Sequence, residues 1–170
     1  YPARMKGGRE MYRIMTHGFI HADFFHLFVN MLTLYFFGPT LENYIFTTPQ
    51  YIALYLTAIP AASLFDLFKH KNDYNYRSLG ASGAVSAVVF ATIILDPWFK
   101  GVCLYGALCL PNLLFGALYI FYSAWMAKRG GDNIGHNAHL WGALYGFAFT
   151  ALMRPDLLKN FIERLANPSF

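Results

Sequence analysis

GASGAVSAVVFATIIL, residues 80–95, is the stretch whose reading decides the fold. It carries no charge and runs into Asp96-Pro97, where the residue before proline is pushed out of helical geometry. Ser82 stands at its start, between Gly80 and Gly83, and Ser86 and Thr92 follow further along. Working outward, five stretches lack Asp, Glu, Lys and Arg: 24–41, 43–65, 78–95, 101–127 and 133–153. Each approaches the roughly 20 residues that cross a hydrocarbon core about 30 Å thick.

Composition agrees with that reading. The 170 residues are 56% hydrophobic, 19% aromatic and only 13% charged, against about 25% charged in an ordinary soluble domain. A large soluble protein with buried helices is the alternative, but five such runs leave too little polar sequence to cover them in water. The expectation is all-α: a polytopic helical membrane bundle, one domain over 1–170, with a polar-to-amphipathic loop at 1–20. The chain opens on YPARMKGGRE, without an initiator Met or a signal peptide, as a fragment would. The net charge of +4 is modest, and no basic–aromatic interleaving outside the spans supports nucleic-acid binding.

The connections carry further expectations. Pro49 starts the second helix, KHKNDYNYRS (69–78) is a polar turn-rich link, and KRGGDNIG (128–135) is a mobile one. Gly106, Pro111-Asn112 and Gly116 predict a kinked fourth span. Cys103 and Cys109 fall six apart inside that span, which argues against a mutual disulfide.

Consecutive spans alternate direction, so the first, third and fifth begin on one membrane face. His26 and Asn30 open the first, Ser82 the third and His139 the fifth. All four therefore arrive at one depth, and His26 and Asn30, four apart, share a helix side. Polar groups inside spans are costly and mark function. Ser82 with His139 forms a nucleophile–base pair wherever their helices touch. Gly142 and Gly146 below His139, and Gly83, Ala87 and Ala91 along the third span, are small-residue faces that let backbones approach. An oxyanion needs donors. The Ser82 N–H at a helix start is one, and the side chains of Asn30 and His26 are others. No Asp or Glu lies within the spans near this depth, so a Ser–His dyad is expected rather than a triad. The spacings His17/His21 and His136/His139 also suit a metal, but without HExxH or a carboxylate at span depth none is expected, nor any cofactor.

HADFFHLFVN (21–30), GASG (80–83) and AHLWGALYG (138–146), in that order and at that spacing, resemble the rhomboid intramembrane serine proteases of bacterial type. The resemblance implies Ser82 as nucleophile and His139 as base. It implies an oxyanion hole of His26, Asn30 and the N–H groups of Ser82 and Leu79, with Gly80, Gly83, Gly142 and Gly146 as packing positions. It maps the family's Trp-Arg loop motif onto Tyr12-Arg13, and a structural acid onto Glu42. It implies that the family's first helix lies outside this sequence, and that position 86, here Ser86, commonly holds an aromatic stacked on the histidine. The excess of Lys and Arg on the face bearing the polar cluster would make that face cytoplasmic; the resemblance makes it extracytoplasmic and is preferred. The expected activity is cleavage of single-pass transmembrane substrates in the lipid bilayer through an acyl-enzyme, in a bacterial cytoplasmic (inner) membrane. The alternative is a catalytically inactive relative that binds and escorts membrane segments.

Overall fold

The computed structural model describes residues 2–5, 10–100, 102–104, 108–130 and 134–168. After two short 3-10 turns and a one-turn helix α1 (Arg13–Thr16), the chain enters α2 (Phe24–Thr40), which tightens into a π turn at Leu41–Ile45. Helices α3 (Thr48–Lys69), α4 (Ser82–Ile93), α5 (Asn112–Arg129), α6 (His136–Met153) and α7 (Pro155–Ala166) follow, with a hairpin of β1 (Val102–Leu104) and β2 (Leu108–Leu110) between α4 and α5. The five expected apolar runs thus each hold a helix. By length and hydropathy alone, Phe24–Ile45 and Thr48–Lys69 suffice to cross a membrane.

Local chemistry sets the helix starts. Asp23, in extended conformation, accepts the His26 N–H at 2.8 Å and caps α2. Thr47 and Gln50 form a reciprocal capping box on α3, with Pro49 in its first turn as expected. No side chain caps α4; it starts beyond Gly80, whose φ of +104° favours glycine.

The opening stretch forms the axis of the molecule. In α4, every residue from Gly83 to Ile93 is buried, and α2, α3, α5 and α6 all pack on it. One cluster joins Ala84, Ala87, Val88 and Ala91 to Leu41, Leu54 and Ile59. Another joins Val89, Phe90 and Ile93 to Ala143 and Phe161. The glycine faces bring α4 and α6 into backbone contact: a Cβ on Gly142 would fall on the Gly83 carbonyl oxygen, and one on Gly146 on that of Ala87. The outer helix faces expose large apolar side chains, among them Phe24, Tyr35, Phe36, Phe121 and Leu152. Such a belt is suited to lipid rather than water.

Three expectations change. The fourth run is not one kinked helix: Pro111 caps α5, where its missing N–H costs nothing, and a hairpin precedes it. In its antiparallel register Cys103 lies opposite Cys109, and Cys109 is disulfide-bonded. Six residues along a helix rise about 9 Å, beyond disulfide reach, whereas directly paired strand positions lie within it. The third is α7, a helix that the apolar runs did not announce. Its Phe161 packs on Phe147. The Trp98 indole N–H donates to the Arg164 carbonyl at 2.7 Å, and Arg164 pairs with Asp96. In the link at 128–135, residues 131–133 lie outside the described residues, as does Gly106.

Candidate active site

Helix α4 has 12 residues and so spans about 18 Å, well short of a hydrocarbon core of about 30 Å. Its first residue, Ser82, is half-buried. A cavity of about 750 Å³ opens there, and Ser82, His139, His26, Asn30, Leu79 and Gly80 all line it. Gly83 lines it too, so the residues expected at one depth meet in one place.

Each side chain is held by its element. The Gly83 Cα faces α6 so closely that a Cβ there would stand 3.2 Å from the Ala138 carbonyl oxygen and 2.6 Å from the Ala62 Cβ. The residue after Ser82 thus packs on the residue before His139. His26, in the first turn of α2, fills the space a side chain at position 80 would need: a Cβ on Gly80 would lie 2.5 Å from its Cε1. The Gly80 N–H donates to the His17 carbonyl at 3.0 Å, pinning the approach to Ser82 onto the first loop. As first residue of α4, Ser82 presents an N–H with no intrahelical acceptor.

Asn30, one turn below His26, is 4% exposed, and its side-chain amide nitrogen has no hydrogen-bond partner. A buried donor without an acceptor costs about 1–3 kcal/mol, and this one lines the cavity with Ser82. His21 Nε2 is likewise buried and unpartnered. The His21 ring stands edge-on to His26 at 5.1 Å. Burial first, then His26, lowers its pKa below the ordinary histidine value.

The surroundings of His139 answer the question raised by Ser86. The Ser86 hydroxyl donates to the Ser82 carbonyl at 2.8 Å and meets the Tyr119 hydroxyl at 2.6 Å. With the serine proton committed, Tyr119 is the donor in the second bond. The Tyr119 ring, from α5, then lies 6.3 Å from the His139 ring at a tilt of 30°. The aromatic neighbour of His139 comes from another helix, and a small residue at 86 makes room for its hydroxyl. No spacing within one segment could announce this.

Two other expected positions lie elsewhere. Arg13 is exposed and ion-paired to Glu10 at 2.9 Å; it lines an adjoining cavity of about 420 Å³ with Tyr12. Glu42 is exposed on the π turn at the opposite end of α2. Gly142 and Gly146 serve the α4–α6 contact beneath the cavity. A buried carboxylate lies near the start of α6, outside the Ser82 cavity. Helix α3 continues to Lys69, past the charge-free run, and its last turns carry Asp66, 1% exposed. Asp66 accepts hydrogen bonds from Tyr76 at 2.6 Å and Asn137 at 2.8 Å. Ending a span at its first charged residue hid it.

The Rhomboid domain family profile matches residues 8–156. RHOMBOID-like protein 12, mitochondrial, of Arabidopsis thaliana is 31% identical over 154 residues, covering 81% of this chain and 45% of that protein. Rhomboid protein 1, mitochondrial, of Saccharomyces cerevisiae is 32% identical over 142 residues, covering 80% of this chain and 40% of that protein. The chain thus spans less than half the length of either relative, and no solved structure matches it. With the family match running from the first loop through α6, this integral membrane helical bundle belongs to the rhomboid family.

Proposed function

We propose that the chain is an intramembrane serine endopeptidase that cleaves single-pass transmembrane substrates through a Ser82–His139 dyad. The observation that carries the reading is the buried, unpartnered Asn30 amide in the cavity shared by Ser82 and His139. A donor left without an acceptor beside a serine and a histidine suits an oxyanion that exists only during reaction.

In this reading His139 takes the Ser82 proton as Oγ attacks the scissile carbonyl, and the carbonyl oxygen becomes an oxyanion. Asn30, His26 and the N–H groups of Ser82 and Leu79 receive it. Collapse breaks the C–N bond, His139 passes its proton to the leaving amine, and an acyl-enzyme remains on Ser82. Water, deprotonated by His139, then attacks the ester and restores the serine hydroxyl. Since Ser82 is half-buried in a cavity between helices, a substrate helix must locally unwind to reach it, which favours small or helix-breaking residues at the scissile bond. The family makes the chain an integral membrane protein; both relatives are named as mitochondrial, which favours a mitochondrial membrane over the bacterial cytoplasmic membrane expected from the sequence.

The test is labelling with a fluorophosphonate probe. Wild type should label, and Ser82→Ala and His139→Ala should not. Equal labelling of Ser82→Ala overturns the nucleophile. A wild type that binds a transmembrane peptide yet neither labels nor cleaves it is the inactive escort protein instead.

A further inference from the structure

Asp66 is a carboxylate buried in the bundle and held by neutral donors alone. Asn137 Nδ2 donates to its Oδ1 at 2.8 Å and Tyr76 Oη to its Oδ2 at 2.6 Å. No Lys, Arg or His forms an ion pair with it among the described residues. Burying such a charge without a cation is expensive, and within a membrane bundle it marks function by default. Asp66 does not line the Ser82 cavity, so it does not touch a substrate held there.

What it touches are the two segments that carry the reacting residues. Asn137 is the second residue of α6, two positions before His139. Tyr76 belongs to the link whose last residues, Leu79 and Gly80, deliver Ser82. That link is stiff. The Tyr76 ring stacks on His70 at 3.7 Å, the Asp73 carboxylate accepts the N–H groups of Asn75 and Tyr76, and Gly80 is bonded to His17.

We infer that Asp66 is a positioning residue for the dyad, tying the α6 start and the 70–81 link to α3 and so setting His139 against Ser82. This rests on the serine-protease reading. In a triad the carboxylate holds the imidazole directly; here it holds the helix on which the imidazole stands. Its two oxygens are used separately, one for each segment, so the tie survives any substitution that keeps both contacts. Asn does: in Asp66→Asn, Oδ1 still accepts from Asn137, and Nδ2 donates to the Tyr76 oxygen.

The experiment compares fluorophosphonate labelling rates, and kcat against KM on a transmembrane peptide, for the full chain in detergent. Asp66→Ala should lower the labelling rate and kcat at least tenfold, with KM within about twofold of wild type and with wild-type α-helical circular dichroism. Asp66→Asn should recover most of that loss. Asn137→Ala and Tyr76→Phe, which each cut one arm of the tie and decide the matter if Asp66→Ala does not fold, should fall between. Wild-type rates in Asp66→Ala, or in both single-arm variants, overturn the assignment; so does an Asp66→Asn as slow as Asp66→Ala. If wild type itself does not label, the protease reading fails first and takes this one with it.

Discussion

At the scale of single residues, the cavity around Ser82 holds buried polar atoms without hydrogen-bond partners. Asn30 is the clearest, a buried amide donor facing a cavity without an acceptor. Asn30→Ala should lower kcat about 10- to 1,000-fold, the span expected for one oxyanion donor, while KM stays near wild type; unchanged turnover removes Asn30 from the hole. Gly80 is constrained twice, by its backbone conformation and by its neighbour. With φ at +104° and the His26 ring against its Cα, Gly80→Ala must both strain the turn and displace His26. Its labelling rate should collapse although the substituted group is one methyl, and a wild-type rate would show that His26 moves aside freely. Tyr119 acts through its ring and its hydroxyl, and these separate. Tyr119→Phe keeps the ring beside His139 and loses only the bond to Ser86, so kcat should fall less than in Tyr119→Ala.

At the scale of elements, the decisive contact is α4 on α6, where backbones meet through Gly83, Gly142 and Gly146. An added methyl cannot be absorbed, because what it meets is a carbonyl oxygen rather than the end of a flexible side chain. Gly142→Ala and Gly146→Ala should each destabilise by about 1–3 kcal/mol, the usual cost of overpacking, seen as a lower detergent or thermal unfolding midpoint. Gly142 lies nearer the cavity, so its substitution should also slow labelling more than Gly146→Ala; equal rates would show that the helices separate as rigid rods. These small faces were legible in the sequence, because spacing of three and four residues on a helix is a local property. The β1–β2 hairpin was not. An apolar run with a proline reads as a kinked span, and only strand pairing puts Cys109 opposite Cys103. Helix α7 escaped for a different reason: its charged residues keep it out of any search for spans, although Pro155 starts it and Phe161 buries its inner face.

At the scale of the whole molecule, Tyr76 couples pH to stability. Burial first, then the bond to Asp66, holds its phenol pKa above the ordinary tyrosine value. A group whose folded pKa is raised holds its proton more tightly in the native state, so its contribution is complete below pH about 10. Above that the unfolded chain ionises first and the contribution drains away as pH rises. Unfolding midpoints measured from pH 8 to 11 should therefore fall at the alkaline end, and Tyr76→Phe should flatten that fall while lowering the neutral value. A parallel slope in the variant would assign the alkaline loss to other groups. The order of charge-free runs determined by itself that this is a helical membrane bundle, and the expected alternation of spans grouped His26, Asn30, Ser82 and His139, which line one cavity. Both follow from composition and chain direction, which need no partner. Only tertiary structure decided that Asp66 bonds to both the start of α6 and the link before α4, that Tyr119 rather than residue 86 supplies the ring beside His139, and that Arg13 and Glu42 stand apart from the Ser82 cavity. Those are contacts between elements far apart in sequence, made by side chains whose neighbours exist only once the helices have packed.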